Sequence, residues 1–212
     1  MKEPCDLIVR NANLPDGRTG IDIAIANGLI AEVAANLDAT ARLEIDATGR
    51  LVSPPFVDSH FHLDSTLTYG RPRVNASGTL LEGIVLWGEL KPDLTVENIK
   101  DRAIKLCHWA IARGTLAIRS HVDVSDDRLP AVKALLEVRE EIKPYIDLQL
   151  VAFPQDGYLR YPGSADNLKQ ALDLGIDVIG GIPHFERTMA DGSASIKSLC
   201  ELAAERGLQV DM

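Results

Sequence analysis

Beyond residue 50 the chain alternates between short apolar segments and longer segments with helical periodicity. The helical patterns fall near residues 95–113, 128–143, 165–174 and 193–206. The apolar segments are "LVSPPFVDSHFHL", "TLAIRSHVDV", "IDLQLVAFPQ", "IDVIGGIPHF" and "LQVDM". Because these segments are apolar on both faces, we expect five parallel β-strands covered by helices, the fifth in the last five residues.

Two α/β architectures fit this alternation. A (β/α)8 TIM barrel needs eight strands and roughly 250 residues, so this chain would hold only about its first five strands. A five-stranded doubly wound sheet would be complete, but it usually carries a Gly-rich phosphate-binding turn after its first strand. The first strand here ends in His-Phe-His instead, and the sequence therefore predicts the barrel.

The first fifty residues follow a different pattern. Short stretches of alternating apolar and polar residues are separated by turns rich in Gly, Asn and Asp, such as "PDGRTG". This pattern predicts a small antiparallel β unit. We therefore expect two domains, a β unit over residues 1–50 and a barrel portion over residues 51–212.

Composition excludes several classes of function. The net charge of −9 opposes unaided binding to nucleic acid or to anionic lipid. No apolar run approaches the ~20 residues that span a bilayer, and the charged N-terminus is unlike a signal peptide, so a cytoplasmic protein is expected. The three cysteines are far apart and form no C-x-x-C motif, which indicates reduced thiols without an assigned role.

His60 and His62 are the strongest candidates for a metal site. Side chains two residues apart on a strand point to the same face, with Cα atoms ~6.5 to 7 Å apart, so both imidazoles can reach one ion. The pair lies at the carboxyl end of the first barrel strand, which is where active-site residues of such barrels lie. The alternative is one core histidine beside one exposed histidine.

The other predicted strands also end in polar residues. His121 and Asp123 close the second strand, Gln155 follows the third, and His184 and Glu186 follow the fourth. Each one alone is explained equally well by a structural hydrogen bond, but together they indicate the rim of a pocket. Binuclear sites in such barrels usually bridge their metals with a Lys or Glu from strand four, and "IDVIGGIPH" has no Lys, which favours a single metal.

Several stretches together resemble one family. They are "PPFVDSHFHLD", "SGTLLEGI", "HVDVSD", "ALLEVREEI", "IDLQLVAFPQ", "YP" and "IPHFE". In this order they resemble the N-terminal half of the bacterial cytosine deaminases of the amidohydrolase superfamily. "SGTLLEGI" with "VAFPQ" narrows the resemblance to cytosine deaminase and its near relatives, some of which act on creatinine-like, isocytosine or triazine rings.

The resemblance implies roles for particular residues. His60 and His62 would bind one catalytic Fe2+ or Zn2+, Gln155 would bind the ring through its side-chain amide, and the backbone carbonyl of Leu80 would accept a hydrogen bond from the ring. The N-terminal strands would form part of a small β-sandwich. Family members continue with His-x-x-Glu after the fifth strand, so the general acid and base are expected beyond Met212 rather than within the chain.

The implied reaction is metal-dependent hydrolytic deamination of cytosine or a related amino-substituted N-heterocycle, with metal-bound hydroxide as the nucleophile. Two alternatives stay open. One is ring-opening or dealkylating hydrolysis of isocytosine-, creatinine- or triazine-like rings. The other is that the 212 residues are a non-catalytic piece that needs its C-terminal half. The sequence does not decide between Fe2+ and Zn2+, nor the preferred ring, nor the oligomeric state, a homo-oligomer included.

Overall fold

The structure, a computed structural model, describes residues 5–212. The chain divides into one compact unit that ends at Pro54 and a second unit from Pro55 to Met212. No helix among the described residues is long and apolar enough to cross a membrane.

The first unit is a four-stranded sheet in the order β3-β2-β1-β4. Its strands are β1 (Cys5–Ala12), β2 (Ile21–Ala26), β3 (Leu29–Ala34) and β4 (Ala41–Asp46). The expected antiparallel pairing holds for β1 with β2 and for β2 with β3, whereas β4 pairs with β1 in parallel. Asn27 and Gly28 connect β2 to β3 with positive φ at both positions, the conformation that a tight two-residue hairpin turn requires.

The second unit contains five strands and five α-helices. The strands are β5 (Phe56–Phe61), β6 (Thr115–Asp123), β7 (Asp147–Phe153), β8 (Val178–Gly180) and β9 (Gln209–Asp211). The helices are α1 (Leu80–Leu90), α2 (Val96–Ile111), α3 (Pro130–Ile142), α4 (Ser164–Asp173) and α5 (Met189–Arg206). The five predicted strands and four predicted helices are present; α1 is an additional helix within the segment that the sequence analysis treated only as ring-binding.

The strand order decides between the two predicted architectures. The sheet runs β5-β6-β7-β8-β9, and every neighbouring pair is parallel. A doubly wound sheet reverses its strand order at a switch point, and this sheet does not. The order is that of the first five strands of a (β/α)8 barrel, as predicted.

Local sequence explains where the helices begin. Thr79, Thr95 and Thr188 precede α1, α2 and α5, and each side chain accepts a hydrogen bond from the backbone N–H three residues later. Such caps pair N–H groups that lack a partner within the helix. Because Thr188 is the cap, α5 begins four residues before the predicted residue 193.

The core of this unit lies between the middle strands and the helices. Leu135 on α3, Leu150 on β7 and Ile179 on β8 are completely buried. At Gly180 a Cβ would lie 2.6 Å from the carbonyl oxygen of Ala152 on the neighbouring strand, so only glycine permits this close approach. The tight packing fixes the carboxyl ends of β6, β7 and β8 relative to one another.

Candidate metal and ring-binding site

Three histidines meet at the carboxyl ends of β5 and β6. His60 lies on β5, His62 directly follows it, and His121 lies on β6. One ring nitrogen from each lies within 4.8 Å of the others. The ring centroids of His60 and His121 are 3.9 Å apart, and both are 5.4 Å from that of His62. The cluster could therefore hold a metal ion, and it includes His121, which the sequence analysis placed only on the pocket rim.

The chemistry of His121 tests whether a cation fits this cluster. Its Nε2 lies 3.2 Å from the carboxylate of Asp211, which in turn accepts a hydrogen bond from Arg119 at 2.7 Å. A carboxylate can only accept, so Nε2 carries the proton and Nδ1 presents a lone pair. That Nδ1 is buried and has no hydrogen-bond partner among residues 5–212. A buried lone pair without a donor, beside two further imidazoles, fits a cation.

The imidazoles are also in the protonation state that binds metal. Burial, together with the neighbouring rings of His121 and His60, lowers the pKa of His62 to about 4. The pKa of His121 is likewise lowered, mainly by burial. At neutral pH both rings are uncharged, which is the form that a metal ion requires.

A cavity of about 490 Å³ opens beside the histidines. His60, His62, Leu80, Gln155 and His184 all line it. The structure thus brings five of the eight sequence-predicted site residues to one cavity, with apolar walls that include Trp87 and Phe153. An apolar cavity with a few polar groups is typical of a site for a small molecule.

Gln155 is the polar side chain best suited to bind a heterocyclic ring through hydrogen bonds. It is half-buried just beyond β7, and its backbone N–H donates to the carbonyl of Phe153 at 2.9 Å. Its side-chain amide makes no hydrogen bond to another residue in the part of the chain that the structure describes, yet it lines the cavity. The amide therefore offers both a donor and an acceptor to a ligand.

Leu80 contributes differently from Gln155. It is the first residue of α1, and it lines the cavity. A carbonyl in the first turn normally accepts one bond from the helix, and its second lone pair stays available to a ligand.

Asp123 and Glu186, which the sequence analysis placed on the rim of a pocket, do not line the cavity. Asp123 accepts hydrogen bonds from the indole of Trp87 at 2.7 Å and from the backbone of Ser125 at 2.7 Å. Glu186 accepts from three consecutive backbone N–H groups, those of residues 158–160. Both carboxylates are thus occupied by structural hydrogen bonds. Except for the neighbouring Ser125, the partners are 26 or more residues away in the chain, which is why the sequence could not reveal them.

Asp64 is a cavity residue that the sequence analysis did not single out. Its side chain is almost completely buried and accepts hydrogen bonds from the backbone N–H groups of Asp123 and Ser65, both at 2.8 Å. Burial raises the pKa of Asp64 to about 7. Carboxyl groups with such shifted pKa values are concentrated at functional sites. Its position two residues after His62, at the same strand end, is the signal that could have identified it.

Residues 43–212 match the Amidohydrolase family. With a parallel barrel sheet and a histidine cluster at its carboxyl edge, this match identifies the chain as a member of that family. The comparisons also confirm the predicted resemblance to cytosine deaminases.

The relatives are similar over the whole chain. The structure superimposes on 5-methylcytosine deaminase from Klebsiella pneumoniae, liganded with 5-fluorocytosine, with a TM-score of 0.91 and 41% identity, covering 96% of this chain and 50% of that one. N-isopropylammelide isopropylaminohydrolase from Burkholderia multivorans matches with a TM-score of 0.81 and 29% identity, over 97% of this chain and 52% of the other. N-isopropylammelide isopropyl amidohydrolase of Pseudomonas sp. (strain ADP) is 36% identical over 223 residues, which cover all of this chain and 53% of the relative. The chain thus spans about half the length of the proteins it matches.

Proposed function

We propose that the protein carrying this chain is a metal-dependent hydrolase that deaminates cytosine or a related amino-substituted N-heterocycle. The observation that carries the proposal is that the histidine pair His60 and His62 lines the same cavity as the unpaired amide of Gln155. A metal site and a neutral amide that can form hydrogen bonds to a ring lie in one cavity. This combination is appropriate for a hydrolytic reaction at a ring carbon. The similarity to 5-methylcytosine deaminase supports the same class of substrate.

His60 and His62 would hold one divalent ion, Fe2+ or Zn2+, and His121, whose buried Nδ1 has no partner among the described residues, would be a further donor. Imidazole nitrogen suits both metals. The bound ion would supply hydroxide at neutral pH by lowering the pKa of a water ligand from about 15.7 towards about 7. Asp211, supported by Arg119, keeps the His121 ring in the required tautomer.

The ring would lie between the histidines and Gln155. The amide of Gln155 would donate to and accept from neighbouring ring atoms, and the carbonyl of Leu80 would accept a ring N–H. A neutral amide suits a neutral ring because it brings no charge to be desolvated. In the overall reaction water adds to the ring carbon that bears the amino group, the carbon–nitrogen bond breaks, and cytosine plus water gives uracil plus ammonia.

A second candidate reaction is hydrolytic removal of an alkylamine from a triazine ring. The similarity to two N-isopropylammelide amidohydrolases favours it. It uses the same attack on a ring carbon that bears nitrogen, and it differs only in the leaving group. The cavity of about 490 Å³ has room for a ring that carries an alkyl substituent.

The test is a substrate panel on the purified full-length protein, with metal content measured by elemental analysis. We expect about one metal per chain and release of ammonia from cytosine, 5-methylcytosine or isocytosine. Release of isopropylamine from N-isopropylammelide would instead support the second reaction. Inactivity on every ring would refute the proposal.

Two variants test the metal site. His62→Ala should lose the metal and the activity together. His108→Ala is the matched control, because His108 is an exposed histidine on α2 that does not line the cavity. Unchanged metal content in His62→Ala would refute the assigned ligand.

A further inference from the structure

Lys91 connects two segments that are distant in the sequence. Its ammonium group lies 2.9 Å from the carboxylate of Asp123, at the end of β6, and 2.6 Å from that of Asp156, just beyond β7. Only 13% of the Lys91 side chain is exposed. The roles assigned in the proposed reaction do not explain why this buried ion pair is present.

On one side Lys91 holds α1. Its backbone N–H donates to the carbonyl of Trp87 and ends that helix, and its own carbonyl accepts from Arg128 at 2.7 Å. The indole N–H of Trp87 donates to the same Asp123 carboxylate oxygen that Lys91 contacts. The end of α1 is therefore attached to β6 at two neighbouring points, and α1 supplies Leu80, Trp87 and other residues to the cavity.

On the other side Lys91 holds the loop that carries Gln155. Asp156 is the next residue, and its backbone N–H donates to the hydroxyl of Ser125 at 3.0 Å. Gly157 follows with φ of +94°, and a Cβ there would lie 2.7 Å from the Cβ of Arg160. The loop thus has a specific backbone conformation in the two residues that follow Gln155. The ion pair with Lys91 connects this loop to α1.

This arrangement differs from an ordinary surface ion pair. Exposed pairs contribute little because water screens them and the side chains lose entropy. Here one mostly buried cation faces two carboxylates, and its removal would leave the buried Asp123 without its counter-ion. Helix α1 and the loop that carries Gln155, which both line the cavity, would then separate or shift.

From these contacts we infer that Lys91 is a positioning residue that sets the distance between α1 and the Gln155 loop, and so determines how tightly the cavity holds a ring. The inference rests on the proposed function for the identity of the ring. It assigns Lys91 no contact with the substrate. Its removal should therefore weaken ring binding more than it slows the chemical step.

Three variants of the full-length protein test this role. Lys91→Met keeps the aliphatic stem and removes the charge, while Asp156→Asn removes one arm at a more exposed position. Lys100→Met is the control, since Lys100 pairs with Glu137 and Glu141 away from the cavity. KM and kcat for cytosine, binding of the unconsumed product uracil, metal content and melting temperature would be measured for each.

We expect Lys91→Met to raise the KM for cytosine and the Kd for uracil about tenfold, because a displaced Gln155 loop would weaken about one buried hydrogen bond to the ring. The kcat should stay within about threefold, metal content should be unchanged, and Lys100→Met should match the wild type. Adding Asp156→Asn to Lys91→Met should have little further effect, because both changes break the same connection. A lower melting temperature with unchanged KM and Kd would overturn the inference.

A spectroscopic measurement separates this inference from the proposed function. In protein labelled with 5-fluorotryptophan, the 19F resonance of Trp87 is identified by its loss in Trp87→Phe. Asp156→Asn should move that resonance, although Asp156 is bonded to Lys91 and not to Trp87. If the wild type binds no pyrimidine but the resonance moves, the proposed function fails while the connection stands. An unmoved resonance would refute the connection.

Discussion

Replacement of Gln155 by alanine tests the ring-binding site most directly. The side-chain amide is half-buried at the cavity, and no described residue between 5 and 212 pairs with it. A ring that uses both its donor and its acceptor loses two partners in Gln155→Ala. At about 1 to 2 kcal/mol for each buried partner, the loss is about 2 to 4 kcal/mol. This corresponds to a decrease of roughly 30-fold to 1,000-fold in kcat/KM.

The assay is steady-state deamination of cytosine, isocytosine and creatinine, with metal content and melting temperature measured on the same samples. Gln155→Glu should discriminate more strongly against a ring acceptor, since it presents only acceptors and a charge. Gln170→Ala on α4 is the control, because Gln170 is exposed and does not line the cavity. Both Gln155 variants should keep the metal. Normal kcat/KM on every ring together with a lower melting temperature would show that Gln155 only supports its loop.

Three further predictions concern stability. Burial raises the pKa of the Cys107 thiol from about 9 to about 11, so the unfolded chain loses its proton first as the pH rises. The free energy of unfolding should therefore fall between about pH 9 and 11, by at most about 3 kcal/mol more than in Cys107→Ala, when measured by urea unfolding. Glu186→Ala leaves three backbone N–H groups without their carboxylate and should cost about 2 kcal/mol by the same measurement, whereas Glu201→Ala on the exposed face of α5 should cost under about 0.5; equal effects would contradict the assigned contacts. Leu150→Ala removes a completely buried side chain and should cost about 2 to 5 kcal/mol, and a loss below about 1 would mean that the β7 core is less tightly packed than described.

Sequence alone was sufficient where the determining interactions are local. Strand and helix alternate with the periodicity of their apolar residues, so the five parallel strands and four of the helices were predictable. His60 and His62 were predictable as a pair because residues two apart on a strand share a face. The family resemblance depends on short motifs that can be read without coordinates.

Helix α1 was also encoded locally, but its signal is short. Thr79 followed by Glu82 is the Thr-x-x-Glu pattern that begins many helices, and in the structure the backbone N–H of Glu82 donates to the hydroxyl of Thr79. The apolar face of this helix lines the cavity. That position is a property of the tertiary structure. The helix was therefore predictable in principle, whereas its place at the cavity was not.

Only the tertiary structure decided which polar side chains share the site. His121 joins His60 and His62 because the parallel register pairs Phe61 with Ser120. Sequence periodicity carries no information about the register between β5, which ends at Phe61, and β6, which begins at Thr115. Asp123 is bonded to Trp87 at a separation of 36 residues. Hydrogen-bond partners that are distant in the chain are chosen by the folded backbone, so a carboxylate at a strand end can be assigned to a cavity or to its supporting structure only once that backbone is known.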